Sequence, residues 1–286
     1  MAETELLIWE DPLSGIRTFQ RTDAPALVRF EAIDGLSVSV NLHDLAPIVD
    51  NPEVSDPSEI QHLLESYVDP RIAAHDGALV LHGSSVVLDA RAVLFIGQTG
   101  RGKSTLMSSF WSIEGARVGD DSLICDVHEA PPTIRAIGRS CRLLPDSLSA
   151  LAAPRSSAPI GVDGDKRRLE IDAAQLMADP TPLAAVFSLD EDCGGAAIEA
   201  RALSSGDACM EIIANSFALD PRAPIPARKR MNAAAALVAA VPCFALSYPR
   251  DYARLPEVQA AILAAAGMEG LSLHHGSAMS GESAEG

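Results

Sequence analysis

Basic residues are scarce in this chain: 22 Lys and Arg stand against 39 Asp and Glu, a formal net charge of −17. Non-specific affinity for a phosphate backbone comes from clustered Lys and Arg, so a general nucleic-acid partner is not expected. The same balance disfavours docking on an anionic membrane surface. Long apolar runs are also missing. The longest, residues 233–246, covers 14 positions and is interrupted by Pro242, short of the ~20 that a membrane-spanning helix needs. The five cysteines, Cys125, Cys141, Cys193, Cys209 and Cys243, show no CxxC spacing and are odd in number. A disulfide framework or zinc site is therefore not expected, and reduced thiols are. The first ten residues carry neither a basic segment nor a long apolar core, so no secretory leader is expected and the chain reads as cytoplasmic. Aromatics make up 4%, which leaves the core to Ala, Leu, Val and Ile.

What is present suits a chain that buries a real core. Hydrophobic residues amount to 48% and charged residues to 21% of 286 positions, enough for one large domain or two smaller ones. Residues 1–75 read as a small N-terminal α+β domain. Apolar runs at 6–8 and 27–30 and the alternation at 36–40 predict strands, with Asp34-Gly35 as a hairpin turn. Residues 51–57 form a polar, proline-containing loop. Ser58 is expected to open a helix with Ile60, Leu63, Leu64 and Tyr67 on one face.

Residues 76–272 read as a second domain with interleaved strands and helices. Strands are predicted at 78–81, 85–88, 92–96 and 122–125, with Asp89-Ala90-Arg91 as a turn. A helix over 103–112 carries the inward stripe Leu106, Met107, Phe110 and Trp111. Further strands are predicted at 183–189, 197–202 and 244–247, and helices at 207–217, 229–240 and 256–266. Residues 273–286, rich in Gly, Ser and Glu, are expected to be a disordered tail. The fold class is α/β with a mixed sheet.

The most specific feature is Gly97-Gln98-Thr99-Gly100-Arg101-Gly102-Lys103-Ser104, which fits G-x-x-x-x-G-K-[ST] between an apolar strand and an amphipathic helix. Glycines let successive backbone N–H groups turn toward one anionic centre, and the helix that follows adds its positive end. Lys103 would reach the β- and γ-phosphates of ATP, Ser104 would take a Mg²⁺ position, and Thr105 completes the cradle. This is how a strongly acidic chain can still hold a triphosphate. The loop alone does not separate motors, transporters, switches and kinases.

A Mg-ATP site needs an acidic partner. Val118-Gly119-Asp120-Asp121 lies 16 residues beyond Ser104, with Asp121 leading into the strand at 122–125. Adjacent carboxylates on a regular strand point to opposite faces, whereas at a strand edge or bulge both can approach one site. One could then hold the metal while the other accepts a proton. A second acidic element, Asp190-Glu191 after the apolar run 183–189, reads better as a polar hairpin turn.

The order Leu81-His82-Gly83, the loop 97–104 and Val118-Gly119-Asp120-Asp121 resembles the core of the bacterial HPr serine kinase/phosphorylase family, with an interval of 15 positions from His82 to Gly97. Arg142-Leu143-Leu144-Pro145-Asp146-Ser147 is similar to an RLWPDS-like segment of shorter kinases related to it, some of which act in lasso peptide pathways. Leu246-Ser247-Tyr248-Pro249-Arg250-Asp251 is similar to their C-terminal end. Ile134-Arg135-Ala136-Ile137-Gly138 departs from the RGLG-type segment of the full HPr enzymes, so the resemblance does not carry the reverse, phosphorylase reaction.

The resemblance implies an ATP- and Mg-dependent serine kinase with a P-loop catalytic domain. It makes Asp120 the general base, places His82 near the transferred phosphate, and gives the phosphates to Lys103 and the loop amides. Ser104 and Asp121 would hold Mg²⁺, and Arg142 could contact the transferred group. The acceptor would be a serine of a peptide or small protein, and a homo-oligomer stays open. A P-loop ATPase or a nucleotide-dependent regulatory module is the alternative. Lys166-Arg167-Arg168 reads as a solvated charge run, and Arg228-Lys229-Arg230 as a basic cluster opening a helix.

Overall fold

A computed structural model of the chain describes residues 5–12, 14–151, 159–163, 165–190, 197–269 and 271. The expected tail at 273–286 and Glu191 of the acidic turn lie outside them, as does Cys193.

Five antiparallel strands open the chain: β1 (Glu5–Glu10), β2 (Arg17–Arg21), β3 (Leu27–Glu31), β4 (Ser37–Asn41) and β5 (Pro47–Val49), paired in that order. Period-two alternation buries Val28, Phe30, Val38 and Val40 on one face. Helix α1 (Pro57–Leu63) is capped by Asp56, whose side chain accepts the Ser58 N–H. It continues through a π-helical turn, Leu64–Val68, into α2 (Asp69–Asp76), which ends at Gly77 in the left-handed conformation. Leu63, Tyr67, Val68 and Ile72 from this helical stretch join the sheet's buried face in one core, to which Leu219 also belongs.

The larger sheet is built from β6 (Leu79–Leu88), β7 (Arg91–Ile96), β8 (Arg117–Asp126), β9 (Thr133–Ala136), β13 (Thr181–Leu189), β14 (Glu199–Ala202) and β15 (Cys243–Ser247), in the order β14-β15-β13-β7-β6-β8-β9. Before β13 in the chain come β10 (Ser140–Leu143), α4 (Pro145–Ala150), β11 (Pro159–Asp163) and β12 (Lys166–Glu170). The three strands form a separate small antiparallel sheet. The central strands β7, β13 and β15 run parallel to one another, and the flanking pairs are antiparallel. Helix α3 (Lys103–Trp111) packs on one face, with α7 (Leu255–Ala265) against it. Helices α5 (Ser205–Ala214) and α6 (Pro224–Ala240) cover the other face.

The α3 stripe is buried as its spacing predicts: Leu106, Met107 and Phe110 are fully enclosed, each worth about 1.5–3 kcal/mol of transfer free energy. The few aromatics are concentrated here. Phe95, Phe110, Phe187 and Phe244 form a connected ring cluster with centroids 5.2–6.3 Å apart.

Several boundaries differ from the sequence reading. Residues 78–81 and 85–88 belong to one ten-residue strand, β6, because Gly83 lies flat against β7. A Cβ there would stand 2.6 Å from the Phe95 carbonyl. Strand β8 begins at Arg117, so Asp120 and Asp121 lie inside it and not ahead of it. Helix α6 starts at Pro224, which moves Arg228-Lys229-Arg230 past its first turn. The cluster therefore does not confront the positive end of the helix. Helices α5 and α7 begin at Ser205 and Leu255. Among the described residues, no helix is long and apolar enough to cross a membrane.

Candidate phosphate-loop site

The loop 97–104 leaves the C-terminal end of β7 and turns into α3. Three of its glycines adopt positive φ: Gly97 at 136°, Gly100 at 86° and Gly102 at 87°. Gly97 is the most constrained, since a Cβ would lie 3.1 Å from the Leu189 carbonyl oxygen at the end of β13. Gln98, Thr99 and Gly100 are exposed, and Arg101 is half-buried. Lys103 folds back over the loop, where its Nζ donates to the carbonyl oxygens of Gly97 (2.7 Å) and Gln98 (3.3 Å). Burial pulls the Lys103 ammonium down to about 8, against the opposing attraction of Asp120.

Both carboxylates lie within electrostatic reach of Lys103. Asp120 is almost fully enclosed. Its Oδ1 accepts from the Ser104 hydroxyl at 3.0 Å and from the Ser84 hydroxyl at the shortest hydrogen-bonding range, while its Oδ2 accepts the Arg142 backbone N–H at 3.1 Å. Asp121 adopts φ 71°, a left-handed conformation rare within a strand, and the β6–β8 register runs through it unbroken. That local twist lets two successive carboxylates serve one site, so that Arg142 bonds Asp120 through its backbone and Asp121 through its guanidinium. His82 Nδ1 lies 3.3 Å from the same Asp121 oxygen. Burial alone would raise the Asp121 carboxyl, but Arg142 and His82 outweigh it and hold the group well below the usual carboxylate range. Its second oxygen, Oδ2, is buried and makes no hydrogen bond among the described residues, with the Ser66 hydroxyl close enough to help lower the group.

The expected residues are thus brought together: His82, the loop, Lys103, Ser104, both aspartates and Arg142. Ser104 is bonded to Asp120, whereas Asp121 is held by His82 and Arg142. The Thr105 hydroxyl is engaged with Ser147 at 3.0 Å, which in turn bonds Tyr252. The run 166–168 is not simply solvated: Arg168 is buried and its Nη2 donates to the Ser58 carbonyl at 2.7 Å.

Asn215 went unrecognised in the sequence. Its Oδ1 accepts the Gly97 N–H at 3.1 Å and its backbone carbonyl accepts the His82 N–H at 2.7 Å, so one residue ties the first loop glycine to the histidine strand. Nothing local marks it: it is an asparagine just past a helix, 118 positions from Gly97. Gly119 is explained by packing, since a Cβ would come within 2.9 Å of the Ala136 side chain on β9.

Among the described residues no group of three or more His, Cys, Asp and Glu is placed to hold a metal ion. Two carboxylates and a hydroxyl are hard oxygen donors. They suit Mg²⁺, which keeps waters and takes phosphate oxygens in place of a full protein cage. The unpartnered Asp121 Oδ2 leaves one such donor open. Burial pushes the Cys125 thiol up to about 12 and the Cys243 thiol to about 11.

No protein-family model matches the chain, and no curated protein sequence matches it. Among solved structures, the HPr(Ser) kinase/phosphatase from Coxiella burnetii aligns over 67% of this chain and 99% of that one, at 13% identity and a TM-score of 0.32. A superposition this loose says nothing of the chain's activity.

Proposed function

We propose that this chain is an ATP- and Mg²⁺-dependent serine kinase of the HPr-kinase-like type, acting on a serine of a peptide or small protein. The observation that carries the reading is the joining of a phosphate loop to two inequivalent carboxylates. One is bonded to the loop's own Ser104 and the other is held between Arg142 and His82 with an oxygen left open.

Ser104 and Asp120 would hold Mg²⁺. Mg²⁺ held there would supply charge neutralisation for the phosphates as the diphosphate leaves. Lys103 leaves the Gly97 and Gln98 carbonyls to meet the β- and γ-phosphates. The acceptor serine hydroxyl donates to Asp121 Oδ2, which orients it in line with the γ-phosphorus. A bond forms from the serine oxygen to phosphorus, the bond from phosphorus to the ADP oxygen breaks, and the hydroxyl proton passes to Asp121. His82 and Arg142 fix the orientation of that carboxylate.

Incubation with labelled ATP and a library of serine peptides tests the proposal. Phosphoserine is the expected product. Consumption of ATP with no labelled acceptor would make the chain a hydrolase, and binding without turnover would make it a regulatory module.

Protonation of Lys103 offers a second measurement. The free site titrates at about 8, and a bound polyphosphate needs the ammonium charged. Nucleotide binding near pH 9 is therefore expected to take up close to one proton, falling to about a tenth of one at pH 7. Calorimetry in buffers of different ionisation enthalpy reads this directly. Uptake that does not change with pH would remove Lys103 from the phosphates.

A further inference from the structure

The geometry points to Arg250 as a ligand for the phosphates that stay behind on the nucleotide, the α and β groups. This rests on the proposal that the loop holds a nucleoside triphosphate.

Arg250 follows β15 in Tyr248-Pro249-Arg250-Asp251. Its guanidinium carbon lies 4.0 Å from the centre of the Tyr248 ring. Nη2 donates to the backbone carbonyl of Asp190, just past the end of β13, at 2.7 Å. Nη1 is buried and has no acceptor among the described residues. The group stands against the phosphate loop itself: a Cβ built on Gly102 would lie 3.6 Å from Nη1 and 3.2 Å from the Tyr248 hydroxyl. Among the described residues no carboxylate pairs with Arg250. A buried N–H without an acceptor costs free energy that an arriving anion would recover. A guanidinium fork suits two phosphate oxygens better than a point charge does.

The strand order decides which phosphates. The sheet runs β14-β15-β13-β7-β6-β8-β9, so the loop after β7 has two sides. On one side stand β6 and β8, carrying His82, Asp120 and Asp121, where the γ-phosphoryl group is transferred. On the other stand the ends of β13 and β15, carrying Asp190 and Arg250. Parallel strands deliver ligand contacts at their C-terminal ends, and the three parallel strands β7, β13 and β15 all end here. Arg250 therefore faces the part of the nucleotide that leaves as ADP.

Titration calorimetry with ATP and ADP on the full chain tests this, with a melting curve for each variant. R250Q is expected to weaken ADP and ATP by the same factor, tenfold or more, with the melting temperature held. R250K keeps the charge but loses the fork and is expected to fall between, at least threefold weaker than the unaltered chain. Unchanged ADP affinity in R250Q overturns the assignment, as does a loss confined to ATP. R250K as weak as R250Q on an intact fold would also overturn the charge contact. If R250Q does not fold, R250K decides alone, and ADP affinity equal to that of the unaltered chain overturns the assignment. Failure of the unaltered chain to bind either nucleotide is a separate result, and it removes the phosphate-loop proposal with it.

Discussion

Replacing Lys103 by Met is expected to lower nucleotide affinity at least 100-fold while leaving the fold as stable as before or more so. The two halves of that expectation come from one side chain. Nζ is buried over the loop, bonded to two carbonyls, and burial takes its pKa from 10.5 to about 8. Holding it charged in the folded chain at neutral pH costs on the order of 3 kcal/mol, offset in part by the two hydrogen bonds. Methionine removes the cost together with the bonds. The loss of binding reflects a charge-assisted contact in an enclosed site, worth about 3–4 kcal/mol when one such donor is deleted. The pH dependence follows from the sign of the shift. Between pH 8 and 10.5 the unfolded chain holds a proton that the folded chain has released, so the Lys103 contribution makes stability rise with pH across that window. Denaturant titrations at pH 7.5 and 10 should show this rise in the unaltered chain and a smaller one in the variant. Nucleotide affinity retained in Lys103→Met would end the phosphate-loop reading.

The parts of this site that the sequence reveals are those built from near neighbours. The loop, its strand and its helix occupy about 20 consecutive positions, and their spacing is their geometry. Helix α3 lies where its apolar stripe predicts, because that stripe has a sheet to pack on. The aspartate pair is different. Gly119-Asp120-Asp121 has the composition of a turn, yet it lies inside β8. The carboxylates are tolerated in a buried strand because Ser84, Ser104, His82 and Arg142 meet them from other elements, and no local propensity reports such partners. The left-handed Asp121 is equally invisible, since it depends on the sheet to hold it.

The same holds for the N-terminal unit. Arg71 on α2 is buried with no carboxylate pairing among the described residues. It lies 3.5 Å from the Trp9 ring centre and 5.2 Å from that of Phe217, and Phe217 meets His82 edge-on at 6.0 Å. Burial lowers its guanidinium to about 10. Thus a strand at the start of the chain is packed, ring against cation, up to His82 beside Asp121.

Asp121→Asn is expected to reduce phosphoryl transfer about 10³-fold, in the range of lost acid–base function, with nucleotide affinity nearly unchanged. The amide is isosteric, but its nitrogen has two places to go. Turned toward Arg142 it sets donor against donor; turned toward the open position it cannot accept the serine proton. Stability should also fall, by about 3 kcal/mol, because Arg142 loses a buried counter-charge. The Asp121 carboxyl is held well below its ordinary 3.8, so its stabilising contribution is present above pH 4 and is lost as pH falls further. The variant should therefore lose the most stability above pH 4, and the loss should shrink steadily as pH falls below that. For the same reason Asp121 stays ionised throughout the working range and does not set an acid limb in the rate. Asp120→Asn separates the two carboxylates. Its bond to Ser104 places its effect on metal dependence, so a higher Mg²⁺ requirement for binding and turnover is expected, with partial rescue at high Mg²⁺. If instead Asp121→Asn keeps full transfer and Asp120→Asn loses it with metal dependence unaltered, the proton goes to Asp120. The roles would then follow the order that the family resemblance implies and not the one the hydrogen bonds favour.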